Sequence, residues 1–249
     1  AIFGPGFVTG SVDNDAGGIT TYSVAGAHYG YNLIWTLIPS FIALVVVQEM
    51  NLRMGVYTGK GLADLIRENF GVKITFWIFL GLLIADLGNT ATEFAGIAGS
   101  MDVFGVSKYI SVPLSAIVVW ILVTKGNYQL AERIFILFSV CLLAYIFSAM
   151  QAKPDWGHIA SSVVRPEIQF NKDYLSMVLG IIGTTIAPWM QFYMQSAVIE
   201  KGTSIDNYKM AVIDVIIGCV ATVVVAFFIM VSCAATLHQN GIVINEAKD

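Results

Sequence analysis

The sequence predicts an all-α integral membrane protein in which two of the membrane helices are interrupted at mid-bilayer. Three observations carry this. Of 249 residues, 57% are hydrophobic and 12% charged, with a mean hydropathy of +0.75, whereas a soluble domain carries about 25% charged residues. Apolar stretches of the length needed to cross a bilayer, about 20 residues, recur along the chain. Two of those stretches carry helix-breaking residues at their middles: Asp15-Ala16-Gly17-Gly18 in one, and Thr184, Thr185, Ala187 and Pro188 in the other.

Seven spans are expected, near residues 1–29 (broken), 32–50, 74–101, 109–124, 131–151, 174–200 (broken) and 209–237. The fourth is short and contains Pro113, which blurs its ends. Residues 51–73 are polar, with Leu62, Leu65 and Ile66 at helical spacing, and read as a short amphipathic helix on the membrane surface. Residues 152–173 form the longest polar loop. Cys141, Cys219 and Cys233 fall in apolar stretches and read as packed thiols, with no metal-cysteine spacing. The chain begins without methionine inside one apolar segment and stops just past another, and so reads as part of a longer protein.

Lys and Arg orient the spans. Arg53, Lys60, Arg67, Lys73, Lys125, Arg133, Lys201 and Lys209 fall on alternate loops, close to helix ends; Lys108, Lys153, Arg165, Lys172 and Lys248 fall on the other side. The positive-inside tendency places the larger set in the cytoplasm. The first broken helix then runs outward and the sixth runs inward. Five spans lie between the start of one and the start of the other. An odd number inverts the second unit relative to the first, which is the arithmetic of a five-plus-five inverted repeat. On this reading residues 1–249 are a single transmembrane domain, with a first repeat over about 1–151 and the beginning of a second over about 174–249.

Broken helices in lipid free carbonyls and amides that hydrocarbon cannot satisfy. Two of them in corresponding positions point to a binding site for an ion or polar solute, and an acid at that depth, Asp15, is by default functional. The chain shows no basic patch for nucleic acid and no catalytic triad, metal-hydrolase motif or phosphate loop.

The segment DAGGITTYSVAGAHYGY, from Asp15 to Tyr31, resembles without a gap the first-helix signature of the natural resistance-associated macrophage protein (NRAMP) family of divalent metal transporters. QEMNLRMGVYTGKGLADLIRENFG (48–71) is similar to the family's second-helix end and following loop, TEFAG (92–96) to its third-helix acidic motif, and TTIAPWMQFYMQSAV (184–198) to its sixth helix. The resemblance covers essentially the whole chain. It implies a LeuT-like inverted-repeat transporter fold of about 11 helices, of which some seven are present here. It further implies a multi-pass protein of a cell membrane, most simply a prokaryotic plasma membrane.

The departures from the family pattern carry the chemistry. The resemblance places the metal site at Asp15, Gly18, Thr184 and Ala187. Asp15 is kept, but Gly18 stands where the family has Asn, and Ala187 where it has Met. Trp189 and Met194 occupy two His positions, and Thr90 stands where an Asp is usual near Glu93. This pattern is similar to the NRAMP-related magnesium transporters. A thioether favours soft ions, and its loss leaves oxygen donors only. Mg²⁺ keeps several waters and takes one or two carboxylates. The expected substrate is therefore Mg²⁺, with Mn²⁺ also carried, bound largely hydrated and with weak or no proton coupling; no cofactor is expected beyond the transported ion. The alternatives are a proton-coupled Mn²⁺/Fe²⁺ importer and, from another class, a sodium-coupled symporter of organic solutes.

Other readings stand beside these. Asp15 could be a helix cap. Asp13 could attract cations or cap, and Asp86 and Glu93 could form a polar relay or join helices. Thr184 and Thr185 could bond back to their own helix. Trp189, Met190 and Met194 could pack, and Glu49 and Arg53, four apart, suit an ion pair.

Overall fold

A computed structural model describes residues 14–125 and 141–244, and every regular element among them is a helix. In order these are α1 (Ala16–Tyr29), a 3₁₀ turn (Ile34–Thr36), α2 (Leu37–Thr58), α3 (Leu62–Asp102), α4 (Lys108–Lys125), α5 (Ala144–Gln151), α6 (Trp156–Val164), α7 (Lys172–Thr185), α8 (Pro188–Glu200), a 3₁₀ turn (Ile205–Asn207), α9 (Tyr208–Thr236) and a last 3₁₀ turn (His238–Asn240). Five helical stretches among the described residues are long and apolar enough to cross a membrane: Ile34–Thr58, Leu62–Asp102, Lys108–Lys125, Lys172–Glu200 and Ile205–Asn240. The part of the first span before Asn14, and residues 126–140 of the fifth-span region, lie outside the described residues.

Local chemistry sets the helix ends. Asp15, Asp155 and Asn171 each cap a helix by accepting a backbone N–H three residues on. Gly30 ends α1 and Gly59 ends α2 with φ of 59° and 64°, a region open mainly to glycine.

Two stretches differ from the sequence reading. Residues 51–73 are not one surface helix. Buried contacts of Asn51, Leu52 and Gly55 with α8 carry α2 on to Thr58 although Gly55, Val56, Tyr57 and Thr58 are weak helix formers, and the amphipathic turns from Leu62 run into α3 through a kink at Gly71, whose φ is 78°. The amphipathic reading holds locally, since Leu62, Leu65 and Ile66 are half-buried while Asp64, Arg67 and Glu68 are exposed. The loop at 152–173 contains α6, started by the Asp155 cap and held by buried Ile159 and Ser162. Of the three thiols Cys219 is buried, but Cys141 is exposed.

α9 is the central pillar. One side packs Ile229, Met230 and Ala234 against Tyr22 and Ala25 of α1 and Tyr174 and Ile181 of α7. The other packs Val215 and Cys219 against Leu44 and Leu52 of α2 and Met190, Met194 and Val198 of α8. The expected Glu49–Arg53 ion pair forms at 2.9 Å, and the Tyr208 hydroxyl also donates to Glu49, tying α2 to α9. α3 buries none of its side chains fully, and apolar groups such as Phe76, Trp77 and Leu87 are exposed along it. In a bilayer that exposure carries no hydrophobic penalty.

The α1–α9 contact depends on Gly26, where a Cβ would collide with the Met230 carbonyl oxygen. A backbone atom cannot move aside as a side chain can. Gly26→Ala is expected to destabilise the purified protein by about 1–3 kcal/mol, read as a lower thermal midpoint in detergent. Gly81→Ala, at a position with nothing within 4 Å of an added Cβ, should leave the midpoint unchanged or raised.

Candidate functional site

The second break lies where the sequence places it. α7 ends at Thr185, Ile186 and Ala187 leave helical geometry (φ/ψ −124°/68° and −72°/140°), and α8 restarts at Pro188. Proline suits a first helical position because the N–H it lacks has no partner there. It also withholds a donor from the carbonyl four residues back, that of Thr184. The α7 end thus presents a carbonyl and the negative pole of the helix dipole, a favourable place for a cation.

The Ala187 carbonyl is in a different state. It accepts the Met190 N–H at 3.3 Å and the Gln191 side-chain amide at 3.4 Å. Gln191 is held in turn: its Oε1 accepts from Asn51 Nδ2 on α2, and the same nitrogen donates to the Val47 carbonyl at 2.9 Å. One turn further along α8, Gln195 donates to the Lys60 carbonyl at 2.7 Å. Amides therefore lock α8 to α2 and its following turn.

At the head of α1, the Asp15 carboxylate accepts the Gly18 N–H at 2.7 Å, so the capping role is realised and Gly18 enters the site through its backbone. Asp15 is half-buried, and so keeps a face for other partners. From α3, Glu93 accepts the Ala16 N–H at 3.4 Å and lies in electrostatic contact with Asp15. Gly96 permits this approach, since a Cβ there would sit 2.5 Å from the Ala16 Cβ. Asn14 is buried, donates to the Thr222 carbonyl at 3.4 Å, and leaves its Oδ1 without a partner. Thr185 is buried between helices. Its hydroxyl donates to Ile181 O at 2.7 Å and shares a 2.8 Å bond with the Tyr22 hydroxyl.

Between these elements lies a cavity of about 380 Å³. α1 contributes Gly17, Thr20 and Thr21; α3 contributes Asp86, Asn89 and Thr92; the break contributes Gly183, Thr184, Ala187, Pro188 and Trp189. The structure therefore brings Thr184, Ala187 and Trp189 together on one wall, with Asp15 and Glu93 beside the α1 head. It does not bring in Thr90, which is exposed on α3, or Met194, which is 1% exposed in the α2–α8–α9 core. Asp13 lies outside the described residues.

The sequence reading named neither Asn89, Thr20 nor Thr21 for this site, and gave Asp86 only a general polar role. A signal was present. Asp86, Asn89, Glu93 and Gly96 recur at helical spacing, so one face of α3 carries every polar or minimal residue that meets α1 and the break.

Comparison with known proteins bears on the family and the fold. The chain is 26% identical over 257 residues to the divalent metal cation transporter MntH of Caldanaerobacter subterraneus, covering 99% of this chain and 61% of that protein. It is 27% identical over 256 residues to the MntH of Brucella suis, covering 97% of this chain and 55% of that one. A crystal structure of the Eremococcus coleocola manganese transporter, bound to an aromatic bis-isothiourea compound, superposes with a TM-score of 0.67 at 23% identity, over 99% of this chain and 52% of that one. The chain thus spans about three fifths or less of the length of these relatives, and the arrangement is that of the LeuT-like, multi-pass membrane fold. The profile of the family described as natural resistance-associated macrophage protein-like matches residues 6–249, and the chain belongs to that family.

Proposed function

We propose that this chain forms the ion-binding part of a secondary transporter for divalent cations, chiefly Mg²⁺ and also Mn²⁺, carried largely hydrated. The observation that carries the reading is the cavity lining. It offers carboxylate, amide, hydroxyl and carbonyl oxygens, with no sulfur and no imidazole among its described residues. Hard cations prefer such a donor set. Six waters at about 30 Å³ each take about 180 Å³, well inside the 380 Å³ available. The relatives' names, a divalent metal cation transporter and a manganese transporter, support metal as the substrate class. The site consists of Asp15 as the charged ligand, Thr184 through its free carbonyl, Gly18 as the amide that orients Asp15, and Ala187 as the methyl that widens the floor. The domain is a single membrane unit built of one repeat and the start of its inverted partner.

Ion movement then needs no proton. Thr90 and Trp189 cannot carry one, and a divalent cation gains roughly 4.6 kcal/mol per 100 mV of membrane potential, twice the single-charge value. A second reading, proton-coupled Mn²⁺ import, is favoured by one contact, that of Glu93 with Asp15. Two carboxyls so placed hold either a cation or a shared proton between them.

Uptake into proteoliposomes by the full-length protein separates these. Millimolar Mg²⁺ is expected to block Mn²⁺ uptake, with equal rates at pH 6 and pH 8 and no metal-driven acidification. Mn²⁺ uptake that ignores Mg²⁺ and acidifies the lumen selects the second reading. The double variant Gly18→Asn with Ala187→Met restores two ligands and should shift preference toward Mn²⁺ and Cd²⁺; an unchanged order of competition counts against the site.

The two roles of Asp15 also come apart. Asp15→Asn retains an oxygen for the Gly18 amide and should keep native thermal stability while abolishing uptake. Asp15→Ala should abolish uptake and also lose about 1 kcal/mol of stability, the usual worth of a cap.

A further inference from the structure

We propose that Asp86 is a second ion-binding acid, set on the α3 wall of the cavity, that holds the divalent cation through its water shell; this rests on the reading of the cavity as a hydrated-ion site. Asp86 sits midway between the Gly71 kink and the end of α3 at Asp102, deep within an apolar helix. An ionisable group at such depth faces a protein interior or a water-filled space and carries out a task there. Asp86 faces the cavity, half-buried, across from Thr184 and Ala187. No base neutralises it: the ion pairs among the described residues are Arg53–Glu49 and Lys60–Glu68. Its charge is therefore available to whatever cation fills the space.

Position sets the mode of binding. Asp86 and Glu93 are seven residues apart on one helix face, about 10 Å along the axis. That is too far for one bare ion to touch Asp86 and the Asp15–Glu93 pair together. A hexahydrated ion in the cavity is wide enough for its waters to reach Asp86 on one side and the α1 head beside Asp15 on the other. Mg²⁺, which gives up water reluctantly, suits this arrangement. Asn89 and Thr92, on the same wall, supply further oxygens to the water shell.

The contact is one of charge through water, so it should not discriminate between divalent ions. In proteoliposomes of the full-length protein, Asp86→Asn is expected to raise KM for Mg²⁺ and for Mn²⁺ each about tenfold, with maximal rate kept and the Mn²⁺/Mg²⁺ ratio unchanged. Asp86→Glu should restore both. Mn²⁺ binding to the detergent-purified protein, followed by the paramagnetic resonance of the free aqua ion, should weaken by the same factor. Native KM and native Mn²⁺ affinity in Asp86→Asn would overturn the proposal, as would a fallen rate with native affinity, which marks a structural role. A separate measurement leaves Asp86 in place: thiol labelling of Asn89→Cys by a sulfonate reagent should be slowed by Mg²⁺ or Mn²⁺, and labelling indifferent to both ions also overturns it. If the native protein proves blind to Mg²⁺, the hydrated-Mg²⁺ reading falls, while the Mn²⁺ affinity of Asp86→Asn still decides whether this acid binds the ion.

Discussion

The site is governed by the backbone groups that two helix ends release where lipid can satisfy none of them. Each unsatisfied group in hydrocarbon costs several kcal/mol, so the protein must supply partners or enclose water. At the α1 head it supplies them: Asp15 takes the Gly18 amide and Glu93 takes the Ala16 amide. At the α7–α8 break it does both. The Gln191 amide and the Met190 N–H occupy the Ala187 carbonyl, while Pro188 leaves the Thr184 carbonyl without a helical donor. The cavity opens beside the group that was left free. The binding capacity proposed for the cavity thus rests on incomplete hydrogen-bond satisfaction, beside partners that are already fixed.

Those partners belong to a stiff frame. The Tyr22–Thr185 hydroxyl pair joins α1 to α7 across the buried core, and Asn51, Gln191 and Gln195 join α8 to α2. Gly55 brings α2 and α8 so close that an added Cβ would lie 3.1 Å from Val198. Three sides of the cavity are therefore set by close packing and buried polar bonds, a combination with low local flexibility. The fourth side, α3, has no fully buried side chain. It meets α1 through Gly96 and Glu93, a narrow contact that carries both an acid and a steric fit.

Much of this was legible in the sequence because the governing pattern is local. Pro188 and the Asp-Ala-Gly-Gly run mark helix ends by backbone chemistry alone, and the apolar runs give spans by length. The boundary of the surface segment was not legible, because tertiary contacts of Asn51 and Gly55 with α8 extend α2 through weak helix formers, and the Gly71 kink preserves helix on both sides. α6 was hidden because its run of nine residues is short and lies between polar stretches, and its two buried anchors, Ile159 and Ser162, are defined by tertiary contact. In the site, motif matching named Asp15, Thr184 and Ala187, which lie in or beside the cavity, and also Thr90, which is exposed and stands about 100° around α3 from Asn89. Helical phase would have chosen Asn89 instead. Met194, at a family His position, is buried with Leu44, Leu52 and Val198, as its packing reading expects.

The two walls of the cavity differ in what they can offer an ion, and that difference bears on selectivity. On the α8 side the thioether position is the methyl of Ala187, its carbonyl is engaged, and Trp189 presents an indole whose N–H is a donor and cannot bind a cation. Nothing there can replace a water of hydration. The usable oxygens are those of Thr184, at the α7 end of the same wall, and of Asn89, Asp86 and the α1 hydroxyls on the facing walls. An ion held as proposed gains no inner ligand from α8. Mn²⁺ and Cd²⁺ gain most when soft or multiple inner ligands close around them; a site that is closed on one side and wet on the other removes that advantage. On the proposed reading, discrimination against them would arise from ligands withheld, in which the Asn51–Gln191 clamp takes part alongside the missing methionine sulfur.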